Sequence, residues 1–171
     1  MISLYCWRIT KYDPINRDKN GLYQKYEWAS VGDVGKKYDG IEFTFETYLT
    51  YESKYIGAIN GFLHGNNVES IRIKPLEKKR YTSYADFIEP LSKEYFRSLK
   101  SNTMITTQDI PRVVRFVLRE LIWCKLVCEQ MYVHFGYDYY MYIGSENRLE
   151  NEIDTIKKSG MYVESMASPY L

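Results

Sequence analysis

Cysteine and histidine are scarce in this sequence, three and two residues respectively among 171. Cys6, Cys124 and Cys128 are too few and too odd in number for a disulfide framework, so reduced thiols are expected. His64 and His134 fall in different predicted elements, with no carboxylate at a recognised ligand spacing to either, so no metal or other cofactor is expected. Glycine-rich phosphate loops are missing as well, because Gly32-Asp33-Val34-Gly35 is only two glycines around a short predicted helix. Charge of one sign is also lacking. The 23 basic and 22 acidic side chains leave a formal +1, which removes the global field that usually marks a nucleic-acid or membrane binder. No apolar run nears the eighteen or so residues of a membrane span, and Met1-Ile2-Ser3-Leu4-Tyr5-Cys6-Trp7-Arg8 lacks the basic-then-apolar order of a signal peptide. A cytoplasmic location with no membrane partner is the expectation.

What the sequence has in excess is tyrosine: 18 residues, with Phe and Trp bringing aromatics to 16%. Each buried phenol needs a hydrogen-bond partner, and so many are hard to satisfy in one small core. Some are therefore expected at the surface, where tyrosine favours interfaces, although an AT-rich genome raises tyrosine with no function attached. A chain of this length buries roughly two thirds of the surface its unfolded form exposes, enough for one self-sufficient core.

Period and punctuation then order the elements. Ser3 to Lys11 is aromatic and β-branched and stops at Asp13-Pro14, predicting an opening strand and a polar loop. Ser30 as N-cap with Asp33 in the first turn predicts a short helix over Val31 to Tyr38, ending near Asp39-Gly40. From Thr44, apolar residues from Phe45 through Tyr48, Tyr55, Ile59 and Phe62 recur at helical spacing until Gly65-Asn66-Asn67. Val68 to Lys74 reads as a strand ended by Pro75. Ser83 to Leu99 predicts one or two short helices, with Pro90 early and Leu91, Tyr95, Phe96 and Leu99 on the apolar stripe. Thr107 or Asp109 caps a helix that turns Ile110, Val113, Val114, Val117, Leu118 and Leu121 inward, with Pro111 in its first turn. Ile122 to Cys128 and Met131 to Phe135 predict a hairpin, continued through a bulge at Gly136 into Tyr137 to Ile143. Glu146 to Lys158 is helical, with Gly160 past its end, and Met161 to Glu164 closes the chain as a strand. The sum is a single α+β domain over residues 1–171, of order roughly β-α-α-β-α-α-β-β-α-β, with helices packed on one face of an antiparallel or mixed sheet.

Four groups of residues are candidates for chemistry or binding. Alternation through Gly136 sends Val133, Phe135, Tyr137, Tyr139, Met141 and Ile143 to the core and places Tyr132, His134, Asp138, Tyr140 and Tyr142 on the opposite face. There His134 and Asp138 form the beginning of a general-base pair without a visible nucleophile, and the plainer reading is a solvated or interface-facing patch. Arg112, Arg115 and Arg119 form a stripe for an anionic partner, or else a solvated helix face neutralised within the chain. Lys74, Lys78, Lys79 and Arg80 form a second basic group. Cys124 and Cys128, if on a strand, lie about 13 Å apart, too far for a disulfide or a shared zinc; on a helix they would sit within one turn.

The runs Leu4-Tyr5-Cys6-Trp7-Arg8-Ile9-Thr10-Lys11-Tyr12 and Tyr132-Val133-His134-Phe135-Gly136-Tyr137-Asp138-Tyr139-Tyr140-Met141-Tyr142-Ile143-Gly144 resemble those of small uncharacterised proteins of low-GC Gram-positive bacteria. That resemblance implies a solitary cytosolic α+β domain and brings no catalytic motif or cofactor. In size and style such domains look like immunity partners of secreted toxins. The expectation is a non-enzymatic protein-binding domain, an immunity-type protein whose partner is a toxin that it covers. The alternatives are a small enzyme using His134 and Asp138, and a nucleic-acid binder using the arginine stripe, the latter disfavoured by the balanced charge.

Overall fold

Antiparallel pairing organises the molecule. The computed structural model describes residues 5–80 and 92–171. In chain order these form β1 (Tyr5–Thr10), β2 (Lys37–Tyr38), β3 (Ile41–Glu42), α1 (Phe45–Gly65), β4 (Ser70–Lys78), α2 (Ser92–Ser98) and β5 (Met104–Thr106). Then follow α3 (Ile110–Leu118), β6 (Ile122–Val127), β7 (Met131–Phe135), β8 (Met141–Ser145), α4 (Glu150–Lys158) and β9 (Tyr162–Ser165). Seven strands make one sheet of order β5-β4-β6-β7-β8-β1-β9, every neighbouring pair antiparallel, while β2 and β3 form a separate ribbon. The expected α+β architecture with helices packed on a sheet is what forms.

The strands alternate as half-buried strands should. Trp7, Ile9, Ile71, Ile73, Leu126, Val133 and Ile143 are buried on the inner face, against α1, which packs between α3 and α4. Thr44 caps α1 by accepting a hydrogen bond from the Thr47 amide, and Asn67 with φ +54° ends it. In α3, Ile110, Val113, Val114, Val117 and Leu118 are all buried, as the spacing predicts. Asp109 does sit at the start of that helix, but its side chain makes no cap bond and instead lies 3.8 Å from Arg112.

Three local predictions change. The helix expected over Val31 to Tyr38 is one 3₁₀ turn, Val31–Asp33, followed by the β2–β3 ribbon. Its capping box is present, but Gly35 at φ +94° breaks the helix after a single turn. Asp39 and Gly40, both at positive φ, are a hairpin turn rather than a helix stop. β4 does not end at Pro75 but runs on to Lys78 through a register shift between Ile73 and Leu76. Proline is tolerated there because β5 pairs only with Ser70 to Arg72, which leaves that edge of β4 without a ladder. Finally, no bulge at Gly136 extends one long strand; β7 and β8 are separate strands joined by a tight turn. β5 is an additional short strand. Of the helical segment expected from Ser83, residues 83–91, with Pro90 and Leu91, lie outside the described residues.

Candidate binding cleft beside the β7–β8 turn

The outer face of the sheet is where alternation places the aromatic patch, and Tyr132, His134 and Tyr142 do share it: Tyr132 and His134 are two apart on β7, and Tyr142 is the β8 partner of His134. They are not a solvated patch, however, because residues after β9 fold across them. The His134 Nδ1 is 2.8 Å from Ser168 Oγ. Lys125 donates to the Tyr170 carbonyl oxygen, and the Tyr170 ring stands edge-on to Tyr142 at 6.0 Å and to Trp123 at 6.4 Å. Tyr132 lies flat on His134, centroids 4.2 Å apart, and donates its hydroxyl to Cys6 Sγ. Gly144 makes this possible, since a Cβ there would stand 2.1 Å from the Tyr132 ring. Burial, and then the charge of Lys125, lower the His134 pKa to about 4, so the imidazole is neutral at physiological pH.

Tyr140 stays with that face, its ring beside Arg8, whose β8 partner is Tyr142, while Asp138 lies in the turn and Tyr137, expected in the core, is 87% exposed. Tyr140 donates its amide to the Tyr137 carbonyl, and Asp138 and Tyr139 between them have φ +54° and +65°, the pattern of a two-residue type I′ hairpin turn. Asp138 tolerates this conformation; a tyrosine seldom adopts it, and strain of this kind persists only where the surroundings over-determine it. Three phenols do so. Tyr12 donates to the Asp138 carbonyl at 2.7 Å, Tyr55 donates to the Tyr139 carbonyl at 2.7 Å, and Tyr139 sends its own hydroxyl 2.7 Å to the Leu118 carbonyl at the end of α3. The Tyr139 ring is buried among Trp28, Tyr48 and Tyr55. Among the described residues no direct hydrogen bond joins His134 to Asp138.

Polar residues of the N-terminal loop brace the same turn from outside, and sequence reading missed them. Arg8 makes a two-pronged contact with Glu164, 3.0 and 3.1 Å, across β1 and β9. Arg17 donates to the Tyr140 hydroxyl at 2.8 Å, and both guanidinium groups lie 5.4 Å from the Tyr140 ring centre. Lys11, its side chain almost fully buried, is paired with Glu27 and lies against the Tyr12 and Trp28 rings. Burial lowers its pKa to about 8, with Glu27 opposing the shift. The one available clue was Arg8 standing at an outward position between Trp7 and Ile9.

The arginine stripe is largely neutralised within the chain. Arg119 is buried and bound through two 2.8 Å hydrogen bonds to Glu52, also buried. Arg115 lies 3.4 Å from the same carboxylate, and Arg112 rests over the Tyr95 ring at 4.8 Å. In the second basic group Lys78 donates to the Phe96 and Arg97 carbonyls. All three cysteines are free thiols, with Cys124 buried on β6, where burial pushes its pKa up to about 12.

A cleft of about 390 Å³ opens where β6 and β7 part company beyond the Lys125–His134 pair. Trp123 bridges the gap, its indole N–H donating 2.8 Å to the Phe135 carbonyl. The strained turn forms one wall and Tyr170 a second, while Glu77, Lys79 and Glu120 supply charge. Tyr137, also part of the lining, is 87% exposed. The cleft thus combines an exposed aromatic residue, a tethered indole and carboxylates. Among the described residues no three His, Cys, Asp or Glu side chains converge on a metal-sized site, and no helix is long and apolar enough to cross a membrane. Comparison with protein-family models, with curated proteins and with solved structures returned no match.

Proposed function

We propose that the chain is a non-enzymatic protein-binding domain that engages its partner through this cleft, with Tyr137 as the anchor. The observation that carries the reading is Tyr137, an almost fully exposed ring on a turn already fixed by three phenolic hydrogen bonds. Interface energy concentrates in such aromatics, and a pre-ordered anchor loses little further entropy on binding. The finer form of the proposal is an immunity-type protein that neutralises a bacterial toxin by covering its surface; it rests on the resemblance of the two tyrosine-rich runs and on the absence of a catalytic arrangement among the described residues. An enzyme built on His134 draws no support from an imidazole that is neutral, covered by Ser168 and unpaired with Asp138.

The test is capture by the immobilised chain from extracts of its source organism, in parallel with Tyr137→Ser and with Tyr26→Ser, a control tyrosine that is 79% exposed but outside the cleft. A protein retained by the wild type and by Tyr26→Ser, and lost from Tyr137→Ser, supports the reading. Equal retention by all three removes the cleft from the binding surface. Purified partner that kills cells lacking the chain, and spares cells expressing it, supports the immunity form.

A further inference from the structure

We propose that the cleft recognises a guanidinium group, the side chain of an arginine presented by a loop of the partner protein; this rests on the protein-binding reading above. Three carboxylates, Glu77, Glu120 and Asp138, line the cleft against the single ammonium of Lys79. Glu120 already accepts a hydrogen bond from Ser30. Among the described residues no hydrogen bond or ion pair engages the exposed carboxylates of Glu77 and Asp138. An anionic ligand meets net repulsion there; a cation is attracted, more strongly as solvent is displaced.

Aromatic lining decides which cation. Trp123, Tyr137 and Tyr170 line the same cleft as the carboxylates, and a planar guanidinium stacks on rings while forming paired hydrogen bonds to a carboxylate, whereas an ammonium is a compact, strongly hydrated point charge. This chain already uses that chemistry on Tyr140, another cleft residue, where Arg8 is bound to Glu164 and lies over the ring at 5.4 Å. The volume, near the lower end of the roughly 300–1,000 Å³ typical of ligand pockets, suits one long side chain rather than a whole helix.

The probe is N-acetyl-arginine N-methylamide, titrated into ¹⁵N-labelled protein while the Tyr137 and Asp138 amides and the Trp123 indole N–H are followed, with the lysine and glutamate analogues as comparisons. The expected result is saturable shifts confined to the cleft, weaker for lysine and absent for glutamate. In the Glu77→Gln, Asp138→Asn double variant, whose asparagine still tolerates positive φ, arginine binding should weaken about tenfold, the loss of one charge-assisted pair. A glutamate analogue that binds as well as arginine, or a folded double variant that binds arginine within about twofold of wild type, overturns the proposal. If the arginine probe fails while Tyr137→Ser still abolishes partner capture, the guanidinium proposal alone is lost. If the probe binds as expected but Tyr137→Ser leaves capture intact, the protein-binding reading of the cleft is what fails.

Discussion

Replacing Glu52 with glutamine keeps the shape of the side chain and removes its charge, leaving the buried Arg119 guanidinium without its counter-ion. Both side chains are only 3% exposed and meet through two 2.8 Å hydrogen bonds, so water cannot replace the lost carboxylate. At an effective dielectric constant of about 20, two unit charges about 4 Å apart attract by about 4 kcal/mol, and removing one partner of a buried pair costs roughly 3–5 kcal/mol. Arg115, 3.4 Å from Glu52 but 43% exposed, adds well under about 1 kcal/mol because solvent screens it. Glutamine retains one acceptor, so the expected loss is about 3 kcal/mol, read as a lower urea midpoint at unchanged slope. A cycle with Glu52→Leu, Arg119→Met and the double variant supplies the internal check, since two apolar replacements together leave no orphaned charge and should cost less than either alone. A Glu52→Gln loss below about 1 kcal/mol, or a double variant worse than the sum of the singles, refutes the reasoning.

Gly144→Ala should cost about 1–3 kcal/mol, because a Cβ there meets the Tyr132 ring at 2.1 Å and that ring is stacked on His134; denaturant unfolding reads the loss. His134 makes stability acid-sensitive. Its folded pKa of about 4 lies below the ordinary 6.5, so the unfolded chain takes up a proton first and stability falls between pH 6.5 and 4, by at most about 1.4 kcal/mol per pH unit. His134→Gln should flatten that window when unfolding free energy is followed against pH. Three thiols should titrate after denaturation without reductant, while in the native protein Cys124, buried and raised to about 12, resists a thiol reagent; rapid labelling of Cys124 in the folded chain would contradict its placement.

Elements whose signal is local were legible in the sequence. α1 and α3 follow from apolar spacing and their stops, and the β6–β7 hairpin follows from composition. The β2–β3 ribbon was misread because Asp-Gly both ends helices and turns hairpins, and only the sheet-like bonds between Lys36 and Phe43 distinguish the two uses. The β7–β8 turn was hidden more deeply. Tyr139 itself disfavours positive φ; the phenols that hold the turn come from Tyr12 and Tyr55, 126 and 84 residues from the carbonyls they bind. Alternation carried past that turn therefore put Tyr137, which is 87% exposed, in the core. The outward direction of Tyr132, His134 and Tyr142 was legible from the two-residue period. Their cover was not, because residues 166–171 carry no periodic pattern and reach the sheet through contacts from Ser168 and Tyr170 that no local signal announces. Glu52 and Arg119, paired on α1 and at the end of α3, stand 67 residues apart, a separation that no local pattern in the sequence bridges.

The claim that this is a binding domain acting through the cleft is tested most directly by calorimetric titration of the purified partner against wild type and Tyr137→Ser, after both proteins are shown to melt at the same temperature. Tyr137 is 87% exposed, so its removal should leave the fold intact and weaken binding by about 2 kcal/mol or more, roughly thirtyfold in Kd. An unchanged Kd for equally stable Tyr137→Ser would contradict it.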